Sequence, residues 1–229
     1  MGEQMRRLDA VRERLRPVIA EIAAGTVARE KDHELPFAQV TALRAAGFGR
    51  LRLPIEHGGF GLDWESFAEV LIELAAADSN LPQIFRGHIA YVEHILAATP
   101  SERRSRWLER IADGELVGNA WSENGAAAVG TNATRVTRRP DGSWRVDGRK
   151  FYTTGSIFAE WIDATVDLDG TTVTALIRRH QDGVEISDDW DGFGQPLTGT
   201  GTAVFTDASV DEDDLSLIHI SEPTRRRGI

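Results

Sequence analysis

One stretch of this chain, residues 146–156, has the sequence Val-Asp-Gly-Arg-Lys-Phe-Tyr-Thr-Thr-Gly-Ser and indicates how the second half folds. Asp147-Gly148 is a pair typical of a tight turn, and the aromatic and β-branched residues after it favour a short strand. Side chains at positions i and i+2 of a strand lie on the same face, so we expect Tyr152 and Thr154 to point the same way. The sequence therefore predicts an aromatic ring beside a hydroxyl donor.

Such a pair suits a planar redox cofactor such as a flavin. A flavin needs a surface beside its ring system and a hydrogen bond to a ring nitrogen or oxygen. The same spacing also occurs in ordinary cross-strand packing, so the pair alone leaves both interpretations open.

Short segments that alternate or are rich in β-branched residues surround this stretch between residues 115 and 214. They fall at residues 131–138, 144–146, 151–154, 161–166, 172–178 and 202–205, with Asp-Gly turn signals between several of them. Strands at this spacing predict a small antiparallel β-barrel or sandwich.

The first half of the chain has apolar residues at helical spacing instead. Helices are predicted around residues 8–22, 36–46, 64–77 and 81–98, and a fifth is capped by Ser101. We therefore predict an α+β protein, with an all-α domain over residues 1–114 followed by a β domain over residues 115–214. A Rossmann fold is disfavoured because strands and helices do not alternate.

Composition excludes several classes of protein. The 229 residues carry a formal net charge of −10, which argues against a nucleic-acid partner. No apolar run approaches the ~20 residues of a membrane helix, and the N-terminus lacks the apolar centre of a signal peptide. The absence of cysteine excludes disulfides, cysteine-ligated metals and a thiol nucleophile. We expect a cytoplasmic enzyme without a membrane partner.

Several separated motifs, in the same order, resemble the acyl-CoA dehydrogenase superfamily. They are Pro-Ile-Glu-His-Gly-Gly-Phe-Gly at 54–61, Asn-Ala-Trp-Ser-Glu at 119–123 and Lys-Phe-Tyr-Thr-Thr-Gly at 150–155. Within the superfamily the chain most resembles the two-component flavin monooxygenases typified by dibenzothiophene monooxygenase. That similarity lies in Gly-Gly-Phe-Gly-Leu-Asp-Trp at 58–64, Ala-Ala-Ala-Asp-Ser at 75–79, Gly-Asn-Ala-Trp-Ser-Glu-Asn at 118–124 and Asp-Asp-Trp at 188–190.

The resemblance covers roughly residues 5–214 and implies a further C-terminal helical bundle that this chain lacks. Residues 215–229 differ in composition from the acidic segment before them and resemble the translation of sequencing-adapter DNA. We expect them to be a non-native tail in place of the bundle. A basic interaction tail is the alternative.

The resemblance also implies flavin-binding residues. Ser122 stands where the family has a flavin-binding threonine, and Trp121 precedes it in the same motif. Tyr152 would lie against the flavin ring, and Thr154 would donate to the reactive edge near N5. Without the family context, Ser122 is an ordinary loop residue and the other pair is packing.

Three further residues are implied to lie near the reacting flavin. Asn119 and His88 would be catalytic together with Thr154, with His88 assisting proton movement, and His88 with Trp190 would line the substrate pocket. The alternatives are a satisfied core histidine and a tryptophan that packs between domains.

The cofactor implied is FMN, with FAD as the alternative. The family holds the cofactor pyrophosphate with Gly-Ser-Asp, whereas residues 125–130 read Gly-Ala-Ala-Ala-Val-Gly and offer neither hydroxyl nor carboxylate. Backbone amides of this segment would still suit a single phosphate.

The implied function is the oxygenase component of a two-component monooxygenase. It would use reduced FMN and O2 on a small organic molecule, with organosulfur compounds among the candidates. A separate flavin reductase would supply the FMN, and the full-length protein would be a homo-oligomer, a tetramer. Two alternatives stay open: an FAD-dependent acyl-CoA dehydrogenase that desaturates the α,β bond, and a truncated fragment that is inactive by itself.

Overall fold

The computed structural model describes residues 2–124 and 132–217. Helices form the first part of this described chain: α1 (Gly2–Asp32), α2 (Phe37–Ala45), α3 (Trp64–Ala77), α4 (Asn80–Ala97) and α5 (Glu102–Ala112). Strands form the second part: β1 (Val117–Ala120), β2 (Arg135–Arg138), β3 (Trp144–Lys150), β4 (Trp161–Leu168), β5 (Thr171–Arg178), β6 (Val184–Ser187), β7 (Thr202–Val210) and β8 (Leu215–Leu217). The predicted order, a helical domain followed by a mostly antiparallel β domain, is confirmed.

Side-chain caps fix the starts of two helices. Asp63 accepts a hydrogen bond from the Ser66 amide at 2.9 Å and begins α3. Ser101 accepts one from the Arg104 amide at 3.1 Å and begins α5, as predicted. Each cap satisfies a backbone donor that the first helical turn leaves free.

The helical domain buries one apolar cluster, and aromatic rings form its centre. Phe48 packs edge-on against Phe85 with ring centroids 4.8 Å apart, and the ring centroid of Phe67 lies 6.4 Å from that of Phe48. Leucines and valines of α1, α2 and α3 complete this core.

The strands form one sheet in the order β6-β7-β3-β2-β4-β5-β8, and β1 pairs with β4 outside this path. The β1–β4 and β2–β4 pairs are parallel, and the remaining pairs are antiparallel. Strands β5 and β7 are not hydrogen-bonded to each other but come close across the interior, so the sheet curls around its own apolar core.

A third apolar cluster joins the two domains. Trp107 of α5 packs edge-on against Trp161 of β4 with ring centroids 5.0 Å apart. The Trp107 indole also donates to the buried carboxylate of Asp214 at 3.1 Å. The end of the β domain is therefore attached to the last helix of the helical domain.

The prediction of a turn at Asp147-Gly148 is wrong, because both residues lie inside β3. The pairing of β3 with β7 shifts register between Val146 and Gly148, which is the mark of a β-bulge. Gly148 has φ +147°, and a Cβ atom there would lie 2.5 Å from the Thr134 Cα. The glycine therefore allows a bulge and a close backbone approach rather than a turn.

The predicted strand at residues 151–154 is also wrong. Strand β3 ends at Lys150, and Tyr152 takes a left-handed conformation with φ +58°. Gly155, with φ +80°, lies against α4 so closely that a Cβ atom would be 2.2 Å from the Ile84 carbonyl oxygen. The segment bends against the helix because these positive φ angles are incompatible with an extended strand.

The predicted tail is only partly described. Residues 215–217 form β8, which pairs with β5, and residues 218–229 lie outside the described residues. Among the helices that the structure describes, each is too short or too polar to cross a membrane.

A buried ion pair lies beneath the start of the β domain. The Lys150 ammonium, which is 0% exposed, contacts a Glu123 carboxylate oxygen at 2.5 Å and also donates to Asn132 Oδ1 at 2.9 Å. Glu123 accepts further hydrogen bonds from the amides of Ala133 and Thr134. Burial alone would raise the pKa of Glu123, but these hydrogen bonds together lower it to about 2.

Replacing Lys150 should destabilise the fold strongly. Lys150→Met leaves the Glu123 charge without its buried partner, and we expect the free energy of unfolding to fall by about 3 kcal/mol. The matched control is Arg139→Met, because Arg139 pairs with Asp207 at the exposed surface and its loss should change stability far less. Urea denaturation of both variants measures the difference, and equal small losses would contradict the prediction.

Candidate functional site

A cleft of about 560 Å³ lies between α4 and the β domain. Its volume is within the roughly 300–1,000 Å³ range of small-molecule sites. Helix α4 contributes Gln83 and Arg86, and the segment from β1 onward contributes Asn119, Trp121 and Ser122. The rest of the lining comes from two irregular segments and consists of Tyr152, Thr154, Trp190, Phe193, Gly194, Gln195, Thr198 and Thr200.

Aromatic side chains form much of the wall of this cleft. Tyr152 and Trp190 meet edge-to-face with ring centroids 5.9 Å apart, and the Trp190 indole donates to the Gly194 carbonyl oxygen at 3.2 Å. Tyr152 keeps 48% of its surface exposed toward the cleft. Trp121 stands beneath the Arg86 guanidinium, which lies 5.7 Å from the ring centroid. Flat aromatic faces of this kind suit a planar ligand.

Trp121 is oriented by a buried carboxylate. Its indole N–H donates to Asp163 Oδ2 at 3.0 Å. Burial raises the pKa of Asp163 to about 6, although the hydrogen bond from Trp121 opposes this shift. The other carboxylate oxygen, Oδ1, has no hydrogen-bond partner among the described residues.

Asn119 presents a buried amide at the back of the cleft. Its Oδ1 accepts from Arg86 at 3.5 Å, and its Nδ2 donates to the Tyr152 carbonyl oxygen at 3.4 Å. Ser122 lies in the open part of the cleft wall, where its carbonyl oxygen accepts from the Phe151 amide at 2.9 Å. The cleft thus combines aromatic walls with amide and hydroxyl groups at its polar edge.

Three threonine hydroxyls form a continuous chain along another part of the wall. Thr154 Oγ1 lies 2.7 Å from Thr200 Oγ1, which lies 2.7 Å from Thr198 Oγ1. The Thr198 hydroxyl donates to the Gln195 carbonyl oxygen at 3.1 Å. We call these three residues the threonine chain.

The structure places His88 away from the cleft, contrary to the interpretation of this residue as part of the substrate pocket. The side chain is 2% exposed, and both ring nitrogens are engaged. Nδ1 accepts from the Val117 amide at 3.2 Å, which leaves Nε2 to donate to the Gly49 carbonyl oxygen at 2.7 Å. His88 is therefore a neutral core residue that joins α4 to β1.

The other residues expected from the sequence do come together. The cleft contains Asn119, Trp121, Ser122, Tyr152, Thr154 and Trp190. The remaining lining residues were not expected from the sequence: Gln83, Arg86, Phe193, Gly194, Gln195, Thr198 and Thr200. The alternation Thr-Gly-Thr-Gly-Thr at residues 198–202 was the available signal for the last two, because small residues between hydroxyls permit close backbone approach.

The residues of the cleft fit the ring system of a flavin. Tyr152 and Trp121 offer flat faces, and Ser122, Thr154 and Asn119 offer hydrogen-bonding groups at the edge. The segment expected to meet the phosphate, residues 125–130, lies outside the described residues.

Comparisons with known proteins give a consistent assignment. A sequence model of the family described as acyl-CoA dehydrogenase, N-terminal domain, matches residues 2–115. Dibenzothiophene monooxygenase of Rhodococcus erythropolis is 30% identical over 199 residues, which are 84% of this chain and 48% of that protein. The probable FMNH2-dependent monooxygenase SfnC of Pseudomonas putida is 26% identical over 205 residues, which are 88% of this chain and 50% of that protein.

A solved structure agrees with these relatives. FMN-bound TdsC from Paenibacillus sp. A11-2 matches with a TM-score of 0.80 and 29% identity, over 92% of this chain and 53% of that chain. The chain thus spans about half the length of the relatives it matches.

The buried histidine should make stability depend on pH. Burial lowers the pKa of His88 to about 4, although its hydrogen bond to Gly49 opposes this. As pH falls from about 6.5 to about 4, His88 becomes protonated in the unfolded chain but stays neutral in the native protein. The free energy of unfolding should therefore decrease by on the order of 3 kcal/mol from this group.

Asp163 changes the free energy of unfolding in the opposite direction to His88 over the same pH range. Its raised pKa gives stability that is complete below about 3.8 and is lost as pH rises through about 6. Comparison of the wild-type chain with His88→Gln isolates the histidine, because the variant keeps a hydrogen-bonding amide and loses the titrating ring. The variant should lose less stability between pH 7 and pH 4, and parallel denaturation profiles would contradict this.

Proposed function

We propose, for a chain that belongs to the acyl-CoA dehydrogenase superfamily, that the whole protein is the oxygenase component of a two-component flavin monooxygenase. The observation that carries the proposal is the cleft, in which aromatic faces and polar edge groups stand together on the β domain. The similarity to an FMN-bound structure and to a probable FMNH2-dependent monooxygenase supports FMN over FAD as the cofactor.

The residues of the cleft would divide the task of holding the cofactor. Tyr152 and Trp121 would lie against the ring, while Ser122 and Thr154 would meet its polar edge, Thr154 at N5. Asn119, fixed by Arg86 and by the Tyr152 carbonyl, would hold its amide toward the reacting region. When bound, reduced FMN supplies the electrons that activate O2 for transfer of one oxygen atom to the substrate.

The protein itself would orient the reactants and exclude water. Trp190 and Phe193 would cover the open side of the cleft, where apolar surface lowers the local dielectric and strengthens the polar contacts inside. The described residues of the cleft would therefore contribute preorganised contacts to the chemistry. His88 would act only by positioning β1.

The substrate would be a small organic molecule. Sulfur compounds are the first candidates because the Rhodococcus relative is named for one. A separate flavin reductase would supply reduced FMN, and the whole protein would assemble as a homo-oligomer, a tetramer. The domain limits that we propose remain residues 1–114 for the helical domain and 115–214 for the flavin domain.

Oxygen incorporation tests the reaction. The whole protein is mixed with NADH, FMN, a flavin reductase and an aromatic or alkyl sulfur compound under isotopically labelled dioxygen. Mass spectrometry should show one labelled oxygen atom in the product, and no product when the reductase is omitted. Desaturation of an acyl-CoA without oxygen incorporation would instead identify a dehydrogenase.

The aromatic wall can be tested by binding alone. Tyr152→Ala should weaken FMN binding about five- to tenfold, because an aromatic contact of this kind is worth roughly 1 kcal/mol. Phe37→Ala is the matched control, since Phe37 is also about half exposed (46%) and packs on one aromatic ring, but lies outside the cleft. Flavin fluorescence titration gives both dissociation constants. Equal values for the two variants would remove Tyr152 from the proposed site.

A further inference from the structure

We propose that the threonine chain makes the cleft select reduced flavin over oxidised flavin. Within the threonine chain, the Thr154 hydroxyl can accept a hydrogen bond from a ligand in the cleft but has no proton to donate to it. The inference rests on the proposed function, in which Thr154 meets N5 of FMN.

The direction of the hydrogen bonds follows from one fixed acceptor. A carbonyl oxygen has no proton, so the Thr198 hydroxyl must be the donor in its contact with the Gln195 carbonyl. Thr198 has then used its proton, and its 2.7 Å contact with Thr200 requires Thr200 to donate. Each hydroxyl carries a single proton, which determines the next bond in turn.

The direction of the remaining hydrogen bond, at the cleft, is determined in the same way. Thr200 has donated to Thr198, so its 2.7 Å contact with Thr154 requires Thr154 to donate to Thr200. The only proton of Thr154 therefore points into the wall. What the Thr154 oxygen offers a ligand is a lone pair.

The surroundings hold the chain in this direction. The three hydroxyl-bearing residues are between 2% and 7% exposed. Backbone hydrogen bonds fix their two segments against each other, from the Thr153 amide to the Gly201 carbonyl at 3.0 Å and from the Gly155 amide to the Thr198 carbonyl at 3.2 Å. Reversing all the hydroxyls would leave Gln195 without its donor, a loss worth about one hydrogen bond.

Reduction of a flavin changes what its N5 atom requires. In oxidised flavin N5 carries a lone pair and accepts hydrogen bonds, whereas in reduced flavin N5 carries a hydrogen and donates one. A Thr154 oxygen that can only accept a hydrogen bond forms a good contact with the N–H at N5 of reduced flavin. In oxidised flavin the same oxygen faces the lone pair of N5, which is unfavourable. The N3 atom carries a hydrogen in both states, so a contact of Thr154 with N3 would give no redox preference.

This direction reverses the donor role that the resemblance implied for Thr154. It also fits the order of events in a two-component enzyme. Reduced FMN arrives from the reductase and must bind in the presence of oxidised FMN, and the oxidised form must leave after turnover. A wall that favours the reduced form serves both steps without any movement of the backbone.

The test measures the binding of both redox states to the 229-residue chain under anaerobic conditions. Oxidised FMN is followed by its fluorescence, and chemically reduced FMN is followed by calorimetry. Thr200→Val removes the acceptor of the Thr154 proton and frees that proton for the cleft. We expect oxidised FMN to bind about five- to tenfold more tightly to the variant, with little change for reduced FMN.

A second variant should have the same effect on FMN binding from a position one hydroxyl further along the threonine chain. Thr198→Val removes the acceptor of Thr200, which can then donate to Thr154, so the same tightening for oxidised FMN is expected. The midpoint potential of bound FMN should fall by about 20 to 30 mV in both variants. This shift is the five- to tenfold tightening of oxidised FMN converted at about 30 mV per tenfold change for a two-electron couple. A loss of packing alone would weaken both redox states together and leave the potential unchanged.

Two controls complete the design. Thr153→Val removes a buried hydroxyl of the same segment that donates to the Gly201 carbonyl and is not part of the threonine chain. This variant should leave the ratio of the two dissociation constants unchanged. Thr154→Val should weaken reduced FMN about five- to tenfold and spare the oxidised form. Thr154→Val thus lowers the selectivity by the opposite route to Thr200→Val.

The outcomes separate the inference from the function on which it rests. FMN binding with an unchanged redox ratio in Thr200→Val and Thr198→Val overturns the selectivity and leaves the flavin site intact. No binding of either redox state at millimolar FMN overturns the flavin site and the inference with it.

Discussion

The cleft depends on the pairing of two irregular segments, residues 151–156 and 195–201. Two backbone amides of the first segment donate to carbonyl oxygens of the second although neither segment is a strand, and Gly155 lets the first segment lie directly on α4. Backbone donors and acceptors in such a position must be satisfied because burial without a partner is costly. The pairing satisfies the Thr153 and Gly155 amides and at the same time brings hydroxyls more than 40 positions apart in sequence into one wall.

Local sequence predicted most of the fold because most elements have local causes. Helix α3 begins and ends where the sequence predicted, since Asp63 caps its start and Asp78 follows its last apolar residue. Strand β1 was not predicted, because Val-Gly-Asn-Ala has little strand preference of its own and gains it from pairing with β4. Asp147-Gly148 was misassigned because glycine with positive φ suits turns and bulges alike.

The site was predictable where a motif determined it and unpredictable where distant contacts did. The motifs around Trp121 and Tyr152 predicted two walls of the cleft, and the structure brings these walls together. His88 was assigned to the pocket because residue type and helix position say nothing about which neighbours occupy its ring nitrogens. The direction of the threonine chain could not be predicted from the sequence, because it depends on a carbonyl at Gln195 that only the folded backbone places.

Buried polar contacts add to apolar packing in holding the cleft wall at β1, where Val117 and Ala120 also lie in apolar clusters. His88 accepts from the Val117 amide at one end, and Asp163 accepts from the Trp121 indole just beyond the other. Apolar contacts alone would tolerate small shifts of a strand, whereas a hydrogen bond in a low dielectric fixes distance and direction. Asn119 lies on β1 between these two contacts, and its amide also contacts Arg86 and the Tyr152 carbonyl oxygen in the cleft. The two titrating groups have pKa values shifted in opposite directions for the same reason, since burial disfavours the charge of each.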